Sequence, residues 1–123
     1  MSFERVCLLH IKQIKKALSI GGILSNEFAW RTPPYADLPG VEIDLLIERA
    51  DKVFNLCEMK FTKSPFIIDK KYAAILQNKV ARLRDVTKTR NAIFLTMISA
   101  SGLTSNEYAN EVQNVLTADD LFD

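Results

Sequence analysis

The spacing of apolar residues changes once within the first 40 positions, and the change predicts a helix followed by a strand. Between residues 3 and 18 apolar side chains recur every three or four positions, which is the period of an amphipathic helix. Ser2 is a suitable N-cap for this helix. Residues 23–32 suit a first strand, and the proline-containing segment 33–40 is expected to form a loop.

The next two runs of apolar residues predict a β-hairpin. Residues 41–49 and 53–61 read as strands, and residues 50–52 as the turn between them. With this turn, the residue numbers of each opposed pair add up to 102, so Asp44 lies opposite Glu58. The register matters because a slip of one residue would move every side chain to the other face of the sheet.

The same register predicts which side chains share a face. Glu42 lies opposite Lys60, and alternation along each strand puts both on the face of Asp44 and Glu58. The other face is expected to pack in the core, and it carries Val41, Ile43, Leu45, Ile47, Cys57, Met59 and Phe61.

The rest of the chain completes an α/β pattern. Residues 69–85 are predicted to form a second helix, and the nearly continuous apolar run 91–98 a strand covered on both faces. A short strand near 111–116 and a final helical turn follow. The order α-β-β-β-α-β predicts a mixed sheet flanked by helices, and residues 1–123 are expected to form a single domain.

Charge is distributed unevenly along a chain whose formal net charge is only +1. Residues 63–90 carry eight basic and two acidic side chains, whereas residues 91–123 carry five acidic side chains and no Lys or Arg. A basic segment of this kind is what a phosphate-binding face requires. A solvated helix face is the commoner explanation of such a segment, so the charge alone does not decide.

Several chemistries find no support in the sequence. Cys7 and Cys57 lack metal-type spacing and are expected to be reduced, buried thiols of a cytoplasmic protein. His10, the only histidine, lies on the apolar side of the first helix and is expected in the core, so no Ser–His–Asp or Cys–His set can be assembled. No signal peptide is evident, and no apolar stretch approaches the roughly 20 residues that cross a bilayer.

The hairpin instead offers chemistry suited to a metal ion. Two carboxylates opposed on a sheet repel each other, and a divalent cation between Asp44 and Glu58 would relieve that repulsion. Mg²⁺ accepts one or two carboxylates when water and a substrate phosphate complete its shell. Lys60 could then stabilise negative charge on the phosphate. The alternative is a polar hairpin face whose surface charge pairs contribute little, and the spacing alone does not exclude it.

The pattern of strand–Asp, then strand–Glu-x-Lys, between two helices resembles the PD-(D/E)xK nuclease superfamily, whose restriction-endonuclease-like core has the order αβββαβ. Ile43 stands where the proline of the named motif would be. Nearly the whole chain is similar to the C-terminal nuclease-like domain of bacterial AAA-type ATPases of the Bacteroides type. The stretches that carry this likeness are residues 6–18, 40–47, 56–61 and 92–97.

The resemblance implies roles for individual residues. Asp44 and Glu58 would bind Mg²⁺ or Mn²⁺, with Glu4 of the first helix as a further metal ligand, and Lys60 would be the catalytic lysine. Some members also use a polar residue on the following helix, for which Gln77 and Lys79 are the choices and Lys79 the better one. DNA is the implied substrate, and the side chains expected to bind it are Lys63, Lys70, Lys71, Lys79, Arg82 and Arg84.

The resemblance also implies a larger protein. The chain contains no P-loop, so it is expected to be a fragment of a polypeptide whose ATPase domain lies elsewhere. A second hypothesis is a catalytically inactive nuclease-fold module that binds DNA or a protein and positions the ATPase. A third is a domain whose role is dimerisation, and a homodimer is compatible with all three.

Overall fold

A computed structural model describes residues 2–122 and confirms the α/β fold, a mixed sheet flanked by helices in the predicted element order. One 3₁₀ turn, Ala109–Glu111, precedes the last strand. The helices are α1 (Phe3–Leu9), α2 (Ile11–Ala17), α3 (Lys70–Thr87) and α4 (Ala118–Leu121). The strands are β1 (Ser25–Thr32), β2 (Val41–Arg49), β3 (Val53–Lys60), β4 (Ala92–Ser99) and β5 (Asn114–Leu116).

The predicted first helix is interrupted at His10. The ring Nδ1 of His10 lies 2.7 Å from the carbonyl oxygen of Val6. In a continuous helix this oxygen would accept the hydrogen bond from the backbone N–H of residue 10. That N–H donates instead to the carbonyl of Cys7, at 2.9 Å. The side chain therefore competes with the helical hydrogen bond, and the chain turns between α1 and α2.

The sheet has five strands in the order β1-β2-β3-β4-β5. The first two pairings are antiparallel, and the pairings of β3 with β4 and of β4 with β5 are parallel. Helix α3 connects the parallel strands β3 and β4 and covers one face of the sheet, whereas α1, α2 and α4 cover the other. Among residues 2–122, none of the helices combines the length and the apolar composition that a membrane span would need.

Strands β2 and β3 pair over only part of their length. The predicted register is confirmed for five pairs, from Leu45 with Cys57 to Arg49 with Val53, and the ladder ends there. Beyond it β2 continues to pair with β1 as far as Val41, and β3 continues to pair with β4 as far as Lys60. The sheet therefore divides, and we call this opening the fork, with residues 41–44 of β2 and residues 58–60 of β3 as its two arms.

The fork corrects two predicted pairings. Asp44 with Glu58, and Glu42 with Lys60, are not part of the ladder. Glu42 instead pairs with Arg31 of β1, and their side chains form an exposed ion pair of 3.1 Å. The short turn fixed the register near residues 50–52, but it did not hold the two strands together at their far ends.

A β-bulge in β2 changes which side chains share a face. Phe28 pairs with Leu46 and Trp30 with Ile43, so Asp44 and Leu45 together lie opposite the one intervening residue of β1. The bulge reverses the alternation, and Val41 and Ile43 therefore pack with Leu46 in the core under α3, contrary to the prediction. Such bulges re-aim side chains and often lie beside active sites.

The end of β3 accounts for one further difference. Phe61, expected in the core, is 68% exposed because the strand ends at Lys60. Its ring lies 5.7 Å from that of Phe3 of α1.

Candidate functional site

Glu58 is the most enclosed charged group of the fork. It is 8% exposed, and alternation along β3 places it on the α3 face with Leu56. Its Oε1 accepts hydrogen bonds from Lys79 Nζ at 2.7 Å and from Tyr72 Oη at 3.4 Å, both on α3. A buried carboxylate needs such partners because removal from water otherwise disfavours its charge.

The second carboxylate oxygen of Glu58 remains available. Within residues 2–122, Oε2 accepts no hydrogen bond, and it is not among the fully enclosed side-chain atoms that lack a partner. It therefore retains contact with solvent and can accept a cation.

Tyr72 is held in its protonated form. Burial and the negative charge of Glu58 raise the pKa of the Tyr72 phenol well above its ordinary value. The phenol therefore donates to the carboxylate rather than competing with it for a cation.

Lys60, the predicted catalytic lysine, lies on the same face but does not pair with Glu58. Its Nζ lies 4.8 Å from the centroid of the Tyr72 ring and 5.7 Å from that of Phe66, a cation–π arrangement. It forms no salt bridge with any residue between 2 and 122. Its ammonium group therefore remains free to meet an anion.

Asp44 lies on the other arm of the fork, in the β-bulge. It is exposed, and its side chain has no hydrogen bond or ion pair in the described part of the chain. Asp44 and Glu58 thus differ in environment: one carboxylate is in water, and the other is enclosed and partly neutralised. Ile43 packs under α3, so the bulge places Asp44 with Leu45 on the opposite face of the sheet from Glu58, and the prediction that the two carboxylates share a face is wrong.

Glu4 does not join these two carboxylates. It lies on α1, which packs through Cys7 on the face of the sheet opposite α3. Across residues 2–122, no three His, Cys, Asp or Glu side chains are arranged to hold a metal ion. The predicted set of Asp44, Glu58 and Glu4 is therefore not assembled, and the fork offers two carboxylates at most. Two suffice for Mg²⁺ if substrate phosphate and water complete its shell.

The basic side chains of the predicted DNA-binding surface fall into two groups. Arg82 is 4% exposed, and it donates to the carbonyl oxygens of Pro39 at 2.6 Å and Pro33 at 3.1 Å. Its prediction as a DNA ligand is wrong, because both of its contacts hold the ends of the loop before β2. Lys79 is engaged by Glu58. The exposed members are Lys63, Lys70, Lys71 and Arg84.

The structure distinguishes the two predicted polar residues on α3. Lys79 contacts Glu58, whereas Gln77 donates from Nε2 to Glu111 Oε2 at 3.0 Å and takes no part in the fork. Lys79 interrupts the apolar stripe of α3, and that interruption was the sequence signal that favoured it.

Tyr72 and Ser99 lie beside the fork and were missed. Tyr72 precedes Lys79 by seven positions, two helical turns, and this spacing could have identified it. Ser99 pairs in register with Lys60, is fully buried, and has the one enclosed side-chain atom in residues 2–122 without a hydrogen-bond partner, its Oγ. No feature of the sequence marks it.

Comparisons with known proteins bear on the fold alone. No protein-family model and no curated protein sequence matches this chain. The chain is similar to the crystal structure of a protein of unknown function, AF1548, with a TM-score of 0.53 and 20% sequence identity. The match covers 93% of this chain and 56% of that one, so this chain spans a little over half of its length. At this level of identity the likeness supports the α/β fold and carries no information on activity.

Proposed function

We propose that the protein is a metal-dependent nuclease domain that hydrolyses phosphodiester bonds of DNA at the fork. The observation that carries this proposal is the division of the sheet between β2 and β3. One arm carries the exposed carboxylate of Asp44, and the other carries Glu58 and Lys60, the residues of the Glu-x-Lys motif. An opening in a sheet, lined by carboxylates and an ammonium group, can admit a phosphate.

Each residue has a role suited to its environment. The free Oε2 of Glu58 would hold Mg²⁺ or Mn²⁺, and Asp44 would join it by turning its carboxylate through the fork, where β2 and β3 are not paired. The ion would polarise the phosphate and activate a water molecule. Lys79 and Tyr72 bind the other oxygen of Glu58 and thereby fix the orientation of its carboxylate. Lys60 has no carboxylate partner within residues 2–122, so its ammonium can stabilise the negative charge that develops on the phosphate.

Exposed basic side chains are available to hold the DNA backbone. Lys63, Lys70, Lys71 and Arg84 are exposed on α3 or just before it. Contacts of this kind to phosphates make binding strongly dependent on salt and independent of base sequence.

One observation favours a second function, a non-catalytic module that binds DNA or a protein. Lys79 already compensates the charge of Glu58 at 2.7 Å, so the buried carboxylate does not require a metal ion for stability. In that case the residues of the motif would serve the fold, and the basic face would supply the binding.

Cleavage assays with matched variants separate the two functions. Wild type is expected to cut DNA in Mg²⁺ or Mn²⁺ and to be inactive in a chelator. Asp44→Asn, Glu58→Gln and Lys60→Met are each expected to reduce the rate at least about 100-fold, the scale of losing a group that acts in the transition state. Glu42→Gln is the control, because Glu42 is an exposed carboxylate of the same strand paired with Arg31.

Two results would contradict the proposal that the protein is a nuclease. The first is wild-type protein that cuts no DNA with either metal ion. The second is activity that falls equally in Glu42→Gln and in the variants of the fork. Salt-sensitive DNA binding without cleavage would support the non-catalytic module instead.

We further propose that the natural polypeptide joins this domain to an AAA-type ATPase in the cytoplasm. The support is the likeness of residues 6–18, 40–47, 56–61 and 92–97 to the C-terminal domains of such ATPases. A P-loop encoded in the same reading frame would support the proposal, and a reading frame without an ATPase domain would contradict it. Light scattering would show whether the chain forms a homodimer.

A further inference from the structure

A groove of about 460 Å³ lies between α3 and the segment that enters β2. Pro39, Gly40 and Val41 line one wall. On α3 the lining includes Lys71, Ile75 and Lys79, which are four residues apart and therefore share one helix face. The volume is within the range of sites that bind small organic groups.

The wall opposite α3 is held in place by contacts within the fold. Arg82 donates to the carbonyl oxygens of Pro33 and Pro39 and so binds both ends of the loop. Gly40 is closely packed, since a Cβ there would lie 3.1 Å from Pro34 Cδ. The groove is therefore preformed, and a ligand need not order the loop on binding.

The lining combines an apolar floor with positive charge. Ile75 is 44% exposed, and Lys71 and Lys79 lie one helical turn to either side of it. The lining contains no carboxylate. Lys79 also contacts Glu58, so the groove adjoins the fork.

This combination fits an unpaired nucleotide better than duplex DNA. The base of an unpaired nucleotide can lie against apolar side chains while the ammonium of Lys71 neutralises a flanking phosphate; Lys79 is already paired with Glu58 and bounds the groove on the side of the fork. A duplex presents phosphates and base edges, and its base faces are covered by stacking. An apolar floor beside a single available lysine therefore has little to contact on a duplex.

We propose that this groove binds one nucleotide of single-stranded DNA, adjacent to the phosphate that enters the fork. The inference rests on the proposed function for the identity of the polymer, and it adds the substrate class, single-stranded or locally unpaired DNA. The groove then selects the substrate, and Lys79 connects it to the carboxylate of the fork.

Fluorescence anisotropy in a chelator tests binding without cleavage. The probes are labelled single-stranded DNA of roughly 12 nucleotides, a length within the span of single-strand-binding folds, with a duplex and a single-stranded RNA of the same length. Wild type is expected to bind the single-stranded DNA about tenfold more tightly than the duplex, and to bind the single-stranded RNA no more tightly than the single-stranded DNA.

Exposed residues outside the groove supply matched controls. Lys71→Ala and Ile75→Ser are each expected to weaken binding to single-stranded DNA about tenfold, the scale of losing one charged contact to a phosphate or one apolar contact. Lys12 is an exposed lysine of α2 on the opposite face of the sheet, and Ile67 is 62% exposed, but neither lines the groove. Lys12→Ala and Ile67→Ser are expected to change the affinity by less than about threefold.

The outcomes separate this inference from the nuclease proposal. Three results would contradict the proposal that the groove binds single-stranded DNA: preference for duplex or RNA, equal losses in the groove variants and their controls, or no binding up to about 100 µM. If Mg²⁺-dependent cleavage is observed together with any of them, the nuclease proposal is still supported. The predicted variant pattern without any cleavage would support the groove and contradict the nuclease.

Discussion

Replacement of Lys79 by methionine should show how much stability is lost when the buried carboxylate of Glu58 has no cationic partner. Lys79→Met keeps an apolar side chain of similar length but removes the ammonium that lies 2.7 Å from Glu58 Oε1. The side chains of Lys79 and Glu58 are only 18% and 10% exposed, so water can replace the lost partner only in part. Among the described residues, Tyr72 would remain as the sole hydrogen-bond donor to the carboxylate.

The expected loss is about 2 kcal/mol in the free energy of unfolding. Removing one member of a fully buried pair costs about 3 to 5 kcal/mol, and we take a lower figure because Lys79 is partly exposed and Tyr72 still donates. Urea unfolding at neutral pH in a chelator would measure this loss. In the Glu58→Gln background the same substitution should cost far less, since no buried charge is then left unpaired.

Metal ions provide the second half of the experiment. If Oε2 of Glu58 binds Mg²⁺, the ion should replace the missing positive charge and restore the free energy of unfolding of Lys79→Met. At about 100 times its Kd, a bound ion adds about 2.7 kcal/mol, which exceeds the expected loss. An equal loss in the Glu58→Gln background would refute the electrostatic reasoning, and a variant that Mg²⁺ leaves unchanged would refute metal binding at Glu58.

Three further predictions follow from buried groups. Arg82→Lys should lower the free energy of unfolding by about 2 kcal/mol, through lost charged hydrogen bonds to the loop, yet leave the salt dependence of DNA binding unchanged in titrations. Ser99→Ala should leave the free energy of unfolding unchanged or raise it by about 1 kcal/mol in urea unfolding, because its hydroxyl has no partner in the described part of the chain; a clear loss would contradict this. Burial raises the pKa of Cys7 to about 12 and also raises the pKa of Cys57, so above pH about 9 the folded state keeps thiol protons that the unfolded state releases. The free energy of unfolding should therefore fall as the pH rises above about 9, and it should fall less steeply in Cys57→Ala. An identical slope in wild type and Cys57→Ala would contradict this.

The fold was predictable because its determinants are local in sequence. The turn at residues 50–52 fixed the register of β2 and β3, and five pairs confirm it. The bulge left no comparable signal. Leu45, Leu46 and Ile47 are three consecutive apolar residues, which a strand covered on both faces accommodates without a bulge. Only the pairing with β1 shows where the alternation shifts.

The surroundings of the site were less predictable because they depend on distant contacts. Charge counting identified Arg82 and Lys79 together, but only packing shows that one binds the loop and the other binds Glu58. The sequence likewise favoured a Glu42–Lys60 pair, whereas in the structure the sheet divides there and Glu42 forms an ion pair with Arg31 of β1. Sequence spacing indicates which residues are near each other, and the environment of each decides its partners.

A crystal soaked in Mn²⁺ and measured at the manganese absorption edge would locate the metal without reliance on activity. The proposal predicts one anomalous peak in the fork, about 2.2 Å from a carboxylate oxygen of Asp44 and from Oε2 of Glu58. The peak should disappear in Asp44→Asn and persist in Glu42→Gln. A fork without a peak, or an ion bound by neither carboxylate, would contradict the metal-dependent nuclease.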